Sequence, residues 1–346
     1  MTKVSVIIKA LNEETNIARA VESALRAVAP FDGEVIVADS VSSDRTVEIA
    51  SRYPIKIVQL ANAQERCCGI APQLGYQHSS GEYVYILDGD MDLDPEFVKA
   101  AIALLEREPD IAGVGGFIPE MRAMNLQFKG RMKRVAQQRV REPRDVKCLS
   151  GGGLYRRSSI ESVGYLSNRN LVAYEEYDLG TRLRVNGWRL RMLPIRAADH
   201  YSYTLGTLRL LWLKLRAGFY VSEGQIIRAA HQSGYLDRVF RDIFALRLSA
   251  MVWLYWLAVL LALVVVPYRL AVLGLAFAGV AAMIALITYR HRSLASGFNS
   301  VVDWHLLAVI GVAGLFGRWR SPTEPIASRV IKEQTPHAVS ASPIAP

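Results

Sequence analysis

Apolar residues in the first 120 positions fall into short continuous runs that alternate with segments of helical periodicity. The runs at 4–8, 34–38, 55–60, 83–87 and 111–117 have the pattern of strands buried on both faces. The segments between them carry apolar residues every three or four positions, which is the spacing of one helix face. These alternations predict an α/β fold with a mostly parallel sheet and helices on both sides.

The pattern changes after residue 204. Two stretches, 205–228 and 235–247, interleave leucine, phenylalanine and tryptophan with arginine and lysine at helical spacing. Basic amphipathic helices of this kind lie in the membrane interface. Packing on the globular domain is the alternative, but a hydrophobic region follows at once and favours the interface.

Two uncharged apolar runs follow at 248–266 and 270–289, each near the ~20 residues that cross a bilayer. They predict two transmembrane helices. A third run, 301–317, carries Asp303 and His305 near its start. This run either spans the membrane or dips into it and returns.

Basic residues set the expected orientation. Arg290, His291 and Arg292 follow the second apolar run and indicate a cytoplasmic loop, which agrees with a cytoplasmic N-terminal domain. Residues after Ser321 are rich in alanine, proline and serine and predict disorder. The expected organisation is a cytoplasmic domain at 1–203, interfacial helices at 204–247, a transmembrane region at 248–320 and a disordered tail at 321–346.

Composition narrows the class of partner. The formal net charge of +9 suits anionic lipid, phosphorylated substrates or nucleic acid, and the apolar helices favour the membrane over nucleic acid. A basic stretch at 122–144 is either a solvated helix face or a surface for lipid or diphosphate. Three cysteines without a CxxC spacing indicate reduced thiols in a cytosolic domain.

Four carboxylates follow the run at 83–87, at alternate positions. A buried parallel strand that ends this way opens its carboxyl edge onto a polar site. Asp88 and Asp90 are spaced to reach one divalent cation, or one cation and one sugar hydroxyl. Asp92 and Asp94 are better explained as a solvated turn, with Asp94 opening the next helix.

Two further loops, 12–15 and 39–46, follow strands and are expected at the same edge of the sheet. Asn12 or Thr15 can cap the helix that follows the first strand. The loop Ser150–Gly153 allows a ligand to approach the backbone closely, although a lone glycine triplet is weak support.

Acidic residues open a later predicted helix at Glu175, Glu176 and Asp178. The helix dipole favours carboxylates there, so a purely structural role is one explanation. A general base presented above the sheet edge is the other. His200 follows a predicted strand that ends near the cation site, and it is either structural or a ligand.

Several motifs together resemble family-2 inverting glycosyltransferases with the GT-A fold, most closely bacterial exopolysaccharide transferases with a membrane-bound C-terminus. The matching segments are residues 4–14, 39–46, 81–90 and 175–183. In order and spacing they cover roughly residues 1–200, and together they are specific.

The resemblance implies roles for individual residues. The donor nucleotide sugar would be bound by Ala10, Asn12, Glu13, Asp39, Asp88 and Gly89. Asp90 and His200 would hold a Mg or Mn ion that bridges the diphosphate. Glu176 would deprotonate the acceptor hydroxyl, with Glu175 and Asp178 as the other candidates for the base.

The sequence departs from the family pattern in places. The frequent Arg-Asn pair before the acidic strand is Pro72-Gln73 here, and Arg66 is a candidate substitute for the missing donor contact. The Gln-x-x-Arg-Trp signature of processive synthases is absent, since Leu315 precedes Arg318-Trp319 where the Gln would stand. This difference favours the transfer of single sugars.

The expected function is therefore transfer of one sugar, with inversion, from a nucleotide-diphosphate sugar to a hydroxyl of a polyprenyl-linked glycan. The expected location is the cytoplasmic face of the inner membrane, in cell-surface polysaccharide synthesis, without a nucleic-acid partner. A polyprenyl-phosphate glycosyltransferase and a non-catalytic nucleotide-sugar-binding scaffold are the alternatives. A dehydrogenase is disfavoured because no GxGxxG follows the first strand.

Overall fold

The computed structural model describes residues 3–122, 142–201 and 207–334, so nearly all of the basic stretch at 122–144 lies outside the described residues. Contacts divide the chain into two compact units. One unit comprises residues 1–206 and 320–346, and the other is Thr207–Trp319.

A mixed sheet forms the centre of the first unit, and in the described residues it has nine strands, in the order β11-β3-β2-β1-β4-β8-β6-β9-β7. A separate two-stranded ladder joins β5 to β10. The strands are β1 (Val4–Ala10), β2 (Glu34–Asp39), β3 (Lys56–Leu60), β4 (Tyr83–Asp88), β5 (Met91–Leu93), β6 (Ile111–Phe117), β7 (Arg144–Asp145), β8 (Gly153–Arg156), β9 (Arg189–Arg196), β10 (Ala198–His200) and β11 (Ser328–Lys332).

Helices cover both faces of this sheet, as the alternating pattern predicts. They are α1 (Ile17–Val28), α2 (Thr46–Ala50), α3 (Ile70–Gln77), α4 (Pro95–Arg107), α5 (Arg157–Ser162) and α6 (Glu175–Val185). Alternate side chains of β1 enter two different apolar clusters. Val6 and Ile8 pack on the side of α1 and α4, and Ile7 packs on the side of α3 and α6. The predicted α/β fold is therefore confirmed.

Strand register determines which polar residues meet at the carboxyl edge of the sheet. β1 pairs in parallel with both β2 and β4, so Ala10 lies opposite Asp39 and Lys9 lies opposite Asp88. The antiparallel β5–β10 ladder places His200 opposite Met91, one residue from Asp90. Residues far apart in sequence are thus brought to one edge by backbone pairing alone.

The start of α1 differs from the prediction. The N-cap is Asn16, and its side chain makes no capping hydrogen bond, so capping by Asn12 or Thr15 is wrong. Asn12 has a left-handed backbone with φ of 58°, and its Oδ1 accepts a hydrogen bond from Ser43 N–H at 2.8 Å. The side chain of Asn12 therefore joins two loops instead of starting the helix.

The C-terminal segment also differs, since a disordered tail is wrong for residues 321–334. β11 pairs antiparallel with β3 and becomes the edge strand of the sheet. Ile326 is buried, and its backbone exchanges hydrogen bonds with the Gln77 side chain at 2.8 and 3.0 Å. The composition of this segment did not predict a strand, because an edge strand is stabilised mainly by backbone pairing and needs no strong apolar pattern. Residues 335–346 lie outside the described residues.

The second unit is helical. Its helices are α7 (Thr207–Arg216), α8 (Ser222–Gln232), α9 (Leu236–Asp242), α10 (Phe244–Val265), α11 (Arg269–His291), α12 (Leu294–Gly311) and α13 (Ala313–Phe316). In the described part of the chain, three helical segments are long and apolar enough to cross a membrane: Phe244–Val265, Arg269–His291 and Leu294–Phe316. The two predicted amphipathic stretches form three short helices and the start of α10.

Burial of Ile326 makes the C-terminal segment part of the folded domain. We expect Ile326→Ala to lower the free energy of unfolding of the first unit by about 2–4 kcal/mol, because it leaves a cavity in the core. Chemical denaturation of the detergent-solubilised full chain measures this change. The matched control is Val330→Ala in the exposed edge strand, expected to cost less than about 0.5 kcal/mol. Equal effects of the two variants would contradict the structural role.

Candidate active site

A lysine and an aspartate on neighbouring strands form the centre of the site. Lys9 Nζ lies 2.6 Å from Asp88 Oδ1 at the carboxyl edge of β1 and β4. Burial alone lowers the pKa of Lys9, but the charges of Asp88, Glu175 and Glu176 outweigh it and raise the pKa. Lys9 is therefore a fixed positive charge facing several carboxylates. Lys9 carries no recognisable signal in the sequence, because it lies inside an apolar strand.

Glu176 enters the same region from the start of α6. Its Oε1 accepts hydrogen bonds from the backbone N–H of Gly151 at 2.7 Å and Gly152 at 3.2 Å. Burial, and then the neighbouring charge of Glu175, raises the pKa of Glu176 to about 7. A carboxyl group with such a pKa can exchange a proton near neutral pH, as a general base must.

The glycine loop at 150–153 holds the Glu176 carboxylate in place. Gly152 has φ of 102°, and a Cβ there would lie 2.2 Å from Ile86 O. Glycine is therefore required if the loop is to pass β4 and point two N–H groups at Glu176. The Ser150–Gly153 loop was expected to allow the close approach of a ligand; in the structure its backbone binds the side chain of Glu176.

The three acidic residues of α6 differ in their surroundings. Glu175 and Glu176 line a small cavity together with Lys9, Tyr155 and residues at 72, 86, 152, 166, 167 and 179. Asp178 is fully buried, and Arg182 Nε donates to its Oδ2 at 2.9 Å. The structure thus brings Glu175 and Glu176 to the cavity, while Asp178 anchors the helix.

Asp39 lies at the end of β2 and is fully buried. Its carboxylate accepts hydrogen bonds from Ser42 N–H at 3.0 Å and from Gln59 Nε2 at 2.9 Å. These two donors fix the direction of the carboxylate. Gln59, on β3, was missed because a single polar residue in a strand carries no sequence signal.

The loop after β1 is tied to the loop after β2. Glu13 N–H donates to Thr46 Oγ1 at 2.7 Å, and Thr46 Oγ1 donates to Asp44 Oδ1 at 2.5 Å. A Cβ at Gly89 would lie 2.9 Å from Glu13 Cγ, so the turn after Asp88 packs directly on this loop. The sequence-predicted residues Ala10, Asn12, Glu13, Asp39, Asp88 and Gly89 accordingly meet at one edge.

Arg66 holds the backbone of the loop that follows Asp39. Its Nε donates to Ser40 O at 2.6 Å, and its guanidinium also donates to Val41 O. Val41 has a left-handed backbone with φ of 63°. Arg66 therefore stabilises the strained loop that follows Asp39.

The predicted cation ligands form a chain of three side chains. His200 Nε2 lies 3.1 Å from Asp90 Oδ2, and His200 Nδ1 lies 2.7 Å from Glu120 Oε2. If Nδ1–H donates to Glu120, the Nε2 lone pair faces the Asp90 carboxylate. An imidazole nitrogen and a carboxylate oxygen this close together can both ligate one divalent ion, so the chemistry of this pair fits such an ion.

These ligands supply only part of a coordination shell. In the residues that the structure describes, no group of three or more His, Cys, Asp or Glu side chains is arranged to hold a metal. The remaining ligands of a cation bound at Asp90 and His200 would come from a substrate or from water. Glu120 was missed because it precedes the basic stretch and no motif includes it.

Asp92 and Asp94, the other two acidic residues that follow β4, make local contacts. Asp94 Oδ1 accepts a hydrogen bond from Glu96 N–H at 3.0 Å and is the N-cap of α4. Asp92 Oδ1 lies 3.5 Å from Arg26. The interpretation of Asp94 as the residue that opens the next helix is confirmed. The solvated turn is wrong for Asp92, which lies in β5 opposite Asp199.

Part of the chain resembles known proteins. A family model described as glycosyl transferase family 2 matches residues 5–164. Dolichol-phosphate mannosyltransferase of Pyrococcus furiosus is 28% identical over 173 residues, which cover 46% of this chain and 48% of that protein. The putative glycosyltransferase EpsE of Bacillus subtilis is 28% identical over 200 residues, covering 54% of this chain and 68% of that protein. The chain thus spans about half the length of the first of these relatives.

Solved structures show the same fold. Mannosyltransferase PcManGT of Pyrobaculum calidifontis, in complex with GDP-Man and Mn2+, superposes with a TM-score of 0.56 at 17% identity, over 91% of this chain and 87% of that one. Residues 1–349 of S. aureus TarS with UDP-GlcNAc give a TM-score of 0.51 at 16% identity, over 91% and 89%. The first unit therefore has the GT-A glycosyltransferase fold. Residues 5–164 are similar to glycosyl transferase family 2.

Glu120 offers a test of the cation site that does not depend on turnover. We expect Glu120→Gln to weaken Mn2+ binding by about 10–100-fold, because the weaker acceptor no longer holds His200 in the ligating tautomer. The measurement is titration of Mn2+ into the full chain, followed by electron paramagnetic resonance of the free ion. Asp92→Asn, in β5, is the control and should bind Mn2+ as the wild type does. Unchanged affinity in Glu120→Gln would rule out this role.

Proposed function

We propose that the chain transfers one sugar from a nucleotide-diphosphate sugar to a hydroxyl group of a lipid-linked glycan, with inversion at the anomeric carbon. The reaction takes place at the cytoplasmic face of the inner membrane and contributes to cell-surface polysaccharide synthesis. One observation carries the proposal: Glu176, with a pKa of about 7, shares a cavity with Lys9, which is paired to Asp88. The similarity of residues 5–164 to glycosyl transferase family 2 supports it.

In this proposal, the donor binds along the carboxyl edge of the sheet. Glu13 and Asp39 bind the nucleoside, since a carboxylate accepts hydrogen bonds from a base N–H or a ribose hydroxyl. Ala10 and Asn12 complete that part of the site. Asp88 and Gly89 contact the ribose or the donor sugar.

Asp90 and His200 would hold a Mg or Mn ion. When bound, such an ion would supply positive charge that stabilises the departing nucleoside diphosphate. Glu120 keeps His200 in the tautomer that ligates through Nε2. The Mn2+ in the PcManGT complex supports a divalent ion here.

Glu176 is the base in this scheme. The acceptor O–H donates its proton to the Glu176 carboxylate while the oxygen attacks the anomeric carbon. The bond from that carbon to the diphosphate oxygen breaks on the opposite face, and the configuration inverts. The glycine-loop N–H groups orient the carboxylate, and the charge of Lys9 favours its ionised form.

The acceptor is the least constrained part of the proposal. Three apolar helices in the same chain favour an acceptor that is anchored in the membrane. A polyprenyl phosphate is the second candidate, because the relative from Pyrococcus furiosus is named a dolichol-phosphate mannosyltransferase. A phosphate is already ionised at neutral pH and needs no base, so the two candidates differ in their need for Glu176.

Replacing Glu176 separates these candidates. We expect Glu176→Gln to lower kcat by about 10²–10⁴-fold, because the amide cannot take the acceptor proton. Donor affinity should change little, since the amide oxygen can still accept the glycine N–H groups. Release of nucleoside diphosphate measures the first quantity, and calorimetry with the donor measures the second.

Glu175→Gln is the matched control and should lose much less activity than Glu176→Gln. Near-normal turnover of Glu176→Gln would favour a phosphate acceptor and contradict a hydroxyl acceptor. A larger loss in Glu175→Gln would assign the base to Glu175.

The raised pKa of Glu176 predicts the pH dependence. The base must be ionised, so kcat/KM should rise with pH to a plateau, with a midpoint near 7. Glu175→Gln should move this midpoint to lower pH, because the charge of Glu175 raises the pKa of Glu176. The folded chain binds this proton more tightly than the unfolded chain, for which 4.5 is the ordinary value. Glu176 therefore makes the fold less stable as pH rises from 4.5 to 7. A midpoint below 5 in the wild-type chain would contradict this assignment.

A further inference from the structure

The chain leaves the first unit, forms the apolar helices and then returns to the same unit. Residues up to 201 precede the helical segment, and residues from 320 follow it. Arg320 is fixed to the first unit, since Asn170 exchanges hydrogen bonds with its backbone at 2.8 and 2.9 Å. β11 then pairs with β3. Both ends of the helical segment therefore lie on one side of the membrane.

A segment whose two ends share one side crosses the bilayer an even number of times. The described residues contain three helical segments long enough to cross. A fourth crossing has no helix to supply it, because α7, α8 and α9 have 10, 11 and 7 residues and about 20 are needed. Hence one of the three apolar segments does not cross.

Composition indicates that the segment at 294–316 is the one that does not cross the membrane. Its mean hydropathy is 1.5, against 2.4 for α10 and 2.6 for α11. It carries Asp303 and His305, whereas the apolar parts of the other two helices lack charges. The helix is also interrupted at Val312, between α12 and α13.

The contacts of α12 with α10 point the same way. The rings of His305 and Trp256 lie 6.1 Å apart, and Trp253 Nε1 donates to Ala308 O at 2.9 Å. As residue numbers rise along α12 from 305 to 308, the contacted residue numbers on α10 fall from 256 to 253. A third span that starts where α11 ends would run in the same direction as α10. Instead, α12 runs opposite to α10, toward the N-terminal end of α10 at Phe244.

Polar contacts hold the rest of the segment against the short amphipathic helices. Tyr220 OH donates to Asp303, which also lies 3.9 Å from Lys214. Arg228 donates to Gly317 O at 2.8 Å, and a Cβ at Gly314 would lie 2.0 Å from Val221 O. The C-terminal half of the segment therefore runs along α7 and α8, whose basic residues favour the membrane surface.

We propose that residues 294–316 form an in-plane element of the leaflet on the side of the glycosyltransferase domain, and that α10 and α11 form a two-span hairpin. Together with α7 to α9, this element is the surface that binds the headgroup and upper acyl region of that leaflet. Its exposed apolar side chains face the lipid: Leu294, Phe298, Val309, Val312 and Phe316. This topology also keeps Arg290, Arg292 and Arg318 on one side, as the positive-inside rule favours.

Labelling of single cysteines tests the topology. The three native cysteines are replaced by serine, and exposed positions are then changed one at a time: Arg107→Cys on α4, Tyr268→Cys between α10 and α11, and Thr323→Cys after the helical segment. A membrane-impermeant maleimide is added to cells before and after permeabilisation. We expect positions 107 and 323 to react with the maleimide under the same condition, either before or only after permeabilisation. Position 268 should react under the other condition. Labelling of 323 together with 268, or of all three from one side, would overturn the proposal.

A pair of lysine substitutions tests how deep the segment at 294–316 lies in the bilayer, without cysteine labelling. Val309 and Leu261 are 61% and 57% exposed. We expect Val309→Lys to leave the amount of carbonate-resistant membrane protein within about twofold of wild type, because an interfacial lysine reaches the headgroups. Leu261→Lys in the span should reduce it several-fold. Equal losses in the two variants would overturn the in-plane placement.

Discussion

The ion pair between Lys9 and Asp88 is the interaction on which the site depends. Parallel pairing of β1 with β4 forces the two side chains together at the sheet edge, and the start of α6 adds Glu175 and Glu176 to the same region. Carboxylates this close repel one another unless positive charge lies among them. Lys9 and the N–H groups of the glycine loop supply part of that charge. In the proposed reaction, a cation held by Asp90 and His200 would supply more.

The same constraint explains why residues outside the cavity are needed. Asp178 and Arg182 lock α6 from within the domain, and Arg182 also donates to Tyr165 O at 2.8 Å and lies over the Tyr165 ring. Gln59 fixes the carboxylate of Asp39. Each of these contacts fixes the direction of a charged group, which is how a site of this kind is preorganised for a developing charge. Stability and the proposed chemistry therefore depend on the same hydrogen bonds.

Much of the fold and part of the site could be predicted from the sequence. Buried strands and amphipathic helices leave strong periodic signals, and Asp88, Asp90 and Glu176 follow recognisable motifs. Lys9 was missed because its function depends on register with β4, which periodicity does not reveal. Glu120 and Gln59 act through contacts between distant segments. β11 was taken for a disordered tail because its stability comes from backbone pairing rather than from its own apolar side chains.

The most direct test of the account is a structure of the full chain with Mn2+ and a non-hydrolysable nucleotide-diphosphate sugar. The account predicts that the diphosphate and the ion lie at Asp90 and His200, and that the anomeric carbon faces the cavity of Lys9 and Glu176. The Glu176 carboxylate should lie within about 6 Å of that carbon, so that one acceptor hydroxyl can bridge the two. A sugar that lies outside this cavity, or beyond the reach of Glu176, would contradict the account.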